Sequence, residues 1–306
     1  MRNYSKLSRI ALPAAVLFAS FSSIFIRMST APSLIIAFYR MGFSFLLVAP
    51  FAAAGLARTS GGSPVSSSRL QKGPGSVSGN RVVFLSILSG FFLALHFASW
   101  ISSLKFTSVA SSVVLVNTHP IFVFLISRYI IKERHRAGEL VFVTVTVIGS
   151  AVLGWGDWAK GTGVLLGDIL AIAGALSVGV YMVLGRAVRQ TMSLWSYTFS
   201  VYGSSAFFLL LMVIGADLPL WPYTSRDFAI FFGLALFCTF FGHSIYNWAL
   251  KYVGSTYLSM NILLEPVIAG LLAFFFFQEI PTVINGIGAF IVLFGIYGYS
   301  RINAGE

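Results

Sequence analysis

Two ionisable residues stand directly before prolines inside long apolar runs: His119 before Pro120, and Glu265 before Pro266. A charge at the centre of a bilayer costs about 2.5 to 3.5 kcal/mol on insertion scales, so such groups face a cavity or a partner. Each proline lacks an N–H, which leaves the carbonyl four residues earlier, Val116 or Ile262, available to a ligand or to water. A carboxylate at such a point can hold a substrate ammonium or a coupling proton. An imidazole titrates near neutral pH and can accept a coupling proton or bond a substrate carboxylate. The plainer reading of either group is a neutral side chain bonded across helices. Asn261 lies four residues before Glu265 and shares its helix face. Asn117, two before His119, sits about 200° away and is expected to face elsewhere.

The two points are copies of one another. Shifted by 146 residues, Lys105–Glu133 aligns without a gap on Lys251–Glu279, with Leu104/Leu250, Lys105/Lys251, Pro120/Pro266, Leu125/Leu271 and Glu133/Glu279 identical. Paired interruptions at corresponding positions of two apolar halves are the sequence pointer to a transporter's binding site between structural repeats.

Further polar side chains fall inside apolar runs. His96 with Trp100, and His243 with Asn247, are i to i+4 pairs at nearly repeat-equivalent positions. An indole face can hold a cation, although Trp100 and Trp248 also suit helix packing near the interface. Arg40 is the one basic residue well within a span. It can pair with a substrate carboxylate or with Glu265, or snorkel to the surface. Ser177 and Tyr181 can complete a lining. Asp168 reads as a boundary carboxylate, and for Glu133 and Glu279 at span ends a gate role is not separable from solvation.

The elements that must position these groups follow from composition. With 57% apolar and 9% charged residues and a mean hydropathy of +0.88, the 306-residue chain is far from a soluble domain. It reads as an all-α integral membrane protein. Apolar runs measured against the roughly 20 residues that cross a bilayer predict ten spans, near 10–26, 32–54, 82–104, 109–131, 137–154, 162–184, 195–214, 228–250, 256–277 and 283–300. Residues 55–81 are Gly/Ser/Pro-rich and are expected to form a disordered linker. Met1–Ser23 resembles a signal peptide, but no A-x-A site follows and the helix is expected to be retained.

The net charge of +11 does not imply nucleic acid, because the basic residues lie between apolar spans and orient them. Fifteen Lys and Arg fall on the side of the N-terminus and four on the other. Both termini are therefore expected to be cytoplasmic. Each half holds five spans, an odd number, so the halves 1–154 and 155–306 are predicted to be inverted relative to each other. Cys238, the lone cysteine, excludes an intrachain disulfide or a CxxC metal site and should simply pack. Gly163, Gly167, Ala171, Ala175 and Gly179 form a small-residue stripe suited to close helix approach. Internal packing is the preferred reading, with a homodimer left open.

The stretches HFASWISSLKFTSVASSVVLVNTHPIFVFLISRYIIKER and HSIYNWALKYVGSTYLSMNILLEPVIAGLLAFFFFQEIPT, with IIAFYRMGFSFLLV and GDILAIAGALSVGVYMVLGR, resemble the paired EamA-type domains of the drug/metabolite transporter superfamily. The resemblance covers nearly the whole chain apart from residues 55–81. It implies a ten-helix bundle of two inverted five-helix repeats whose central cavity moves small metabolites, often amino acids, outward. Its motifs specify the fold well and the substrate poorly.

Absent motifs narrow the classes. There is no GxxxxGK[ST] loop, no HExxH or GxSxG and no TVGYG filter, so ATP hydrolysis at a Walker site, those hydrolase chemistries and a potassium channel are not indicated. The expectation is a secondary carrier, without cofactor or metal, exporting a small metabolite across a cell (inner) membrane, with protons as a coupling ion to be considered. Glu265 would meet an ammonium or carry the proton, Arg40 or His119 would meet a carboxylate, and Trp100, Tyr181, Asn247 and Trp248 would shape the pocket, with Asn261, His96 and His243 beside it. A multidrug exporter, and a membrane enzyme acting on a hydrophobic substrate through His96, His243, Asp168 and Glu265, are the alternatives.

Overall fold

The computed structural model describes residues 2–60, 79–103, 106, 112, 115–136, 138–158, 165–278, 280 and 282–302. Among these the chain is a bundle of helices with no strand. In chain order they are α1 (Arg2–Met28), α2 (Ser33–Ser60), α3 (Gly79–Ser103), α4 (His119–Ile130), α5 (Glu139–Trp158), α6 (Leu165–Arg189), α7 (Leu194–Gly215), α8 (Ser225–Gly233), a π-helical segment π1 (Leu234–His243), α9 (Ser244–Ala249), α10 (Ser255–Ile262), α11 (Glu265–Phe277) and α12 (Val283–Ile302). Eight stretches among the described residues are long and apolar enough to cross a bilayer, and His119–Ile130 and Glu139–Val152 are shorter apolar helices. Phe275, Phe290, Leu46 and many other large apolar side chains are exposed on the outside, as a bilayer solvent requires.

The expected linker is shorter than its composition suggested. Residues 55–60 extend α2 and 79–81 belong to α3, because the run FAAAGLAR around Gly55 carries good helix formers past the end of the apolar span. The rest of that segment, residues 61–78, lies outside the described residues, as do Lys105, Gly163 and Glu279.

Two features break the regular helix. The first is the pair of interruptions before the prolines. Thr118 N bonds Leu115 O at 3.1 Å, and Leu263 N and Leu264 N bond Met260 O and Asn261 O at 3.2 and 3.1 Å, all i to i−3. These tight turns end one helical piece, and α4 and α11 begin at His119 and Glu265, with Pro120 and Pro266 in the first turn where no N–H is needed. The second is π1. Thr239 Oγ1 donates to Leu234 O at 3.2 Å and Ser244 Oγ to Thr239 O at 3.3 Å, both reaching back five residues. A π stretch of this kind is uncommon and is often found at functional sites.

Packing repeats itself between the halves. The principal neighbours of α1 are π1 and α11, and those of α6 are α3 and α4; α2 lies along α7, and α5 along α12. With the helices of the two halves matched in chain order, α1 with α6, α2 with α7, α3 with α8, π1 and α9, α4 with α11 and α5 with α12, each of these pairings maps onto another in the set or onto itself. The two halves also meet where α4 packs on α10. The small-residue stripe of α6 is internal: Gly167, Ala171, Ala175 and Gly179 are buried, and a Cβ on Gly179 would lie 3.2 Å from Phe122. Gly174, outside the stripe, brings α6 equally close to the backbone of Trp100, at 3.3 Å. Cys238 is free and fully buried.

Glu133 has a defined task. Lys132 adopts φ +54° and turns the chain so that the Glu133 carboxylate accepts from Ser255 N at 3.0 Å and Ser255 Oγ at 2.6 Å. It thus caps α10, whose own N-cap is Gly254. A Cβ at Gly254 would come within 2.5 Å of Glu133 Oε1, so a side chain there would push the carboxylate out of its capping position. Arg186 Nε lies 4.0 Å from Glu133 Oε1. Glu133→Ala is expected to cost about 1 to 2 kcal/mol, the scale of a lost cap, read as a lower thermal midpoint in detergent. An unchanged midpoint would show that the cap contributes nothing.

Candidate functional site

The two interruptions and π1 converge on one cavity of about 140 Å³. Its wall takes Ser20, Ser22 and Ser23 from α1, Arg40 from α2, His96, Phe97 and Trp100 from α3, Val116, Asn117 and His119 at the first break, and Val178 and Met182 from α6. His243 ends π1, Tyr246 comes from α9, and Ile262, Glu265, Pro266 and Ala269 come from the second break and α11. Broken helices are suited to this role, because irregular backbone at membrane depth is tolerated where it lines a cavity.

Of the residues expected from sequence, the structure brings Glu265, His119, Arg40, His96, Trp100 and His243 together on this wall and leaves Asn261, Tyr181, Asn247 and Trp248 off it. Register and local turns account for this. Tyr181 lies between the wall residues Val178 and Met182 in height but faces another side of α6, and Asn247 follows the wall residue Tyr246 about 100° around the helix. There Tyr181 donates to Asn247 Oδ1 at 2.7 Å and Asn247 Nδ2 to Tyr202 Oη at 3.3 Å, a fully buried tie between helices. The turn at 263–264 separates Asn261 from Glu265, and Asn261 Nδ2 bonds Tyr257 O at 2.7 Å instead. Trp248 packs edge-on against Tyr252. Ser177 donates to Ala173 O at 2.7 Å and is not on the wall either.

Asn117 is a correction in the other direction. Placed by a helical wheel it should face away, yet it lines the cavity, because residues 117–118 form a turn and the angle of about 100° per residue does not apply there. Sequence reasoning also missed Tyr246, whose hydroxyl donates to Glu265 Oε1 at 2.9 Å. The i to i+3 relation of Tyr246 to His243 was the available signal.

Arg40 is only 1% exposed and does not snorkel. Its Nε donates to Thr239 Oγ1 and its Nη1 to Ser22 Oγ, both at 2.9 Å, and its guanidinium lies 4.4 Å over the Phe97 ring. Arg40 therefore ties α1, α2, α3 and π1 together. Among the described residues no ion pair joins Arg40 to Glu265. The cavity thus carries a cation and a carboxyl group on its wall that do not neutralise each other by contact.

The histidines differ. His96 Nδ1 donates to Gly174 O at 3.0 Å, and its ring stacks on Trp100 at 5.9 Å and 12°. His119 Nδ1 lies 3.2 Å from Val116 O, the carbonyl that Pro120 frees, so its own side chain takes up that acceptor. The Ser259 main chain is close to the same ring, but His119 Nε2, like Trp100 Nε1, is buried with no hydrogen-bond partner. Among the described residues no three His, Cys, Asp or Glu side chains are placed to hold a metal ion.

Comparison with known proteins places this geometry in context. A model of the EamA-like transporter family matches the chain twice, over residues 8–155 and 165–301. Two proteins of Archaeoglobus fulgidus, each described as an uncharacterized transporter, are similar: one is 26% identical over 275 residues, covering 90% of this chain and 89% of the relative, the other 24% identical over 235 residues, covering 74% and 79%. The uncharacterized transporter YdfC of Bacillus subtilis is 22% identical over 203 residues, 65% of each chain. A solved crystal structure superposes with a TM-score of 0.73 over 98% of both chains at 19% identity, a likeness of fold.

Proposed function

This chain belongs to the EamA-like transporter family, a transporter rather than an enzyme, and on that premise we propose that its cargo is a small zwitterionic metabolite, an amino acid foremost. The observation that carries the reading is the cavity itself, where Arg40 and Glu265 share one wall without an ion pair between them. Opposite charges held apart in a low-dielectric site complement a ligand that carries both signs, and such a ligand adds no net charge to the membrane interior. Glu265 meets the ammonium or carries a coupling proton. Arg40 or His119 serves the carboxylate, and His96, Trp100 and His243 shape the walls.

The carrier works by alternating access, one half rocking against the other around the midplane site. We take the architecture as ten helices in two inverted five-helix repeats, 1–154 and 155–306. The double family match, the equivalent helix breaks at His119 and Glu265 and the mirrored packing support it. The excess of basic residues on one side supports cytoplasmic termini, and a cell (inner) membrane is the setting taken for the carrier. Export is the direction that the resemblance favours.

Counterflow in proteoliposomes tests the cargo. Liposomes preloaded with an unlabelled amino acid are expected to accumulate the labelled form saturably, unlike protein-free liposomes. If folded protein exchanges no amino acid in a broad panel but exchanges apolar cations, the largely apolar remainder of the wall, Phe97, Val178, Met182 and Ile262, favours a multidrug exporter.

A further inference from the structure

We infer that the contacts around Ser127, Glu133 and His135 form a latch, which holds the carrier closed on the side of its termini and must part in each transport cycle. The inference rests on the reading of alternating access between two inverted repeats and deepens it. The moving parts follow from the packing: α1 with π1 and α11 makes one group of helices, and α6 with α3 and α4 the other. Since α10 runs into α11 through the turn at 263–264, the contact of α4 with α10 is a contact between the groups.

Side-chain bonds concentrate there. The Glu133 carboxylate, just past α4, holds the N–H and the hydroxyl of Ser255. Ser127 Oγ lies 3.4 Å from Thr256 Oγ1 and 3.1 Å from His135 Nε2. His135 Nδ1 lies 2.9 Å from Glu139 Oε2, and its ring stacks on Phe124 at 4.1 Å. The same Glu139 oxygen accepts from Tyr299 Oη of α12 at 3.2 Å. Arg186, in the last turn of α6, donates to Leu250 O just past α9 at 2.7 Å, a further bond between the groups. Ser127, Glu139, Thr256 and Tyr299 are buried and the His135 side chain is 4% exposed, so water does not compete for these bonds. Arg136 donates to Ile302 O, and Tyr4 stacks on Tyr252, which puts the cluster at the end of the bundle where α1 begins and α12 stops. At the far end Ser29 and Thr30 donate to Asp227. Those bonds join α1 to α8, which runs into π1, and so stay within one group.

Two inverted repeats with identical side chains would close equally well on either side, because exchanging the halves exchanges the two states. A preference for one state needs residues that differ between the copies. The 146-residue shift holds through α5 and α12: a Cβ on Gly149 would lie 2.7 Å from Val292 N and one on Gly295 3.0 Å from Thr146 N, each contact the copy of the other. Under that shift Ser127, His135, Thr256 and Tyr299 correspond to Ala273, Pro281, Ala110 and Leu153, none of which has a polar side chain. Glu133 recurs as Glu279, but Ser255, whose hydroxyl it holds, corresponds to Val109. Glu139 corresponds to Asn285, which accepts from Thr282 N in its own turn at 2.8 Å. The latch is thus written into one side of the repeat only, and it biases the equilibrium toward the state closed on that side.

Ser127→Cys combined with Thr256→Cys puts two thiols where the hydroxyls face each other. An added oxidant takes two electrons and two protons from them and leaves a disulfide, which dithiothreitol reduces again. Counterflow of a solute that the wild type carries is expected to stop on oxidation and return on reduction, with the oxidised wild type unaffected. A bridged protein that still carries the solute overturns the latch and leaves the carrier reading intact. Where the bridge does not form or the pair does not fold, Ser259→Cys decides. Ser259 stands one turn further in, its hydroxyl donating to Thr256 O at 2.9 Å and its main chain close to the His119 ring of the cavity. Alkylation of Ser259→Cys by a water-soluble maleimide is expected to be about fivefold faster when Tyr299→Phe or Thr256→Ala is added, the scale of one hydrogen bond. Ser29→Ala, which removes a bond at the far end, should leave the rate unchanged. Equal rates throughout, or the same acceleration by Ser29→Ala, overturn the latch. Alkylation needs no cargo, so a wild type that exchanges no amino acid overturns the cargo reading while the latch stands or falls on these rates.

Discussion

Glu265→Gln is expected to abolish transport while leaving the protein folded. The amide keeps an acceptor oxygen for the Tyr246 hydroxyl, which now donates to Glu265 Oε1 at 2.9 Å, and its volume is nearly that of the carboxyl group. What disappears is the negative charge and the capacity to exchange a proton. Removing one member of a desolvated charge pair costs about 2 to 5 kcal/mol, so counterflow should fall by about 100-fold or more at fixed substrate, since each 1.4 kcal/mol is about tenfold. The thermal midpoint in detergent should stay near that of the wild type. Retained counterflow with an unchanged response to pH would remove Glu265 from both the binding and the coupling role. Tyr246→Phe serves as the companion: it frees Glu265 Oε1 without removing its charge, and should therefore alter affinity far less than Glu265→Gln.

The second large effect is structural. Arg40→Lys keeps the charge but is expected to destabilise the fold by about 3 kcal/mol, roughly two hydrogen bonds to a charged group. The guanidinium reaches Thr239 and Ser22 at once, at 2.9 Å each, while lying over Phe97. An ammonium is a compact charge without that planar fork. Thr239 is also the residue whose hydroxyl bonds back to Leu234 O in π1, so the loss should loosen the wide turn that precedes His243. The expected readouts are a lower thermal midpoint and poor yield of monodisperse protein, before any defect in transport is measured. An Arg40→Lys variant as stable as the wild type would mean that Arg40 serves chiefly as a charge facing the cavity.

Much of the fold was legible because a bilayer leaves few solutions. Apolar runs of the right length can only be helices there, and the long spans appear where hydropathy put them. The doubling of the chain was equally plain, since Pro120/Pro266 and Glu133/Glu279 recur at one spacing. Part of the site was also legible. Ionisable side chains in apolar runs are expensive, which picked out Arg40, His119 and Glu265, and all three lie on the cavity wall.

Helical-wheel reasoning did less well wherever the helix is not regular or a neighbouring helix claims the side chain. Asn117 lines the cavity because the chain turns at 117–118, and Asn261 leaves it because the chain turns at 263–264. Asn247 and Tyr181 stand at the height of the wall residues Tyr246 and Met182 but point to another side of their helices, where their polar groups satisfy one another. For Glu133 the sequence left a gate role and solvation unseparated, and only the approach of Gly254 and Ser255 from the other half shows it to be a helix cap.

The sequence by itself determined that this chain is a helical membrane protein made of two related halves, with polar interruptions at matched depths. Those properties depend on composition and spacing, which are local and survive without coordinates. Only the tertiary structure decided that Arg40 is anchored to Thr239 and Ser22 without an ion pair to Glu265, that Tyr246 bonds Glu265, and that His119 and Trp100 keep one unpaired atom each. Those facts depend on which helices meet and in what register around π1, and a one-residue step, about 100° around a helix, is enough to exchange a wall residue such as Met182 or Tyr246 for a buried tie such as Tyr181 or Asn247.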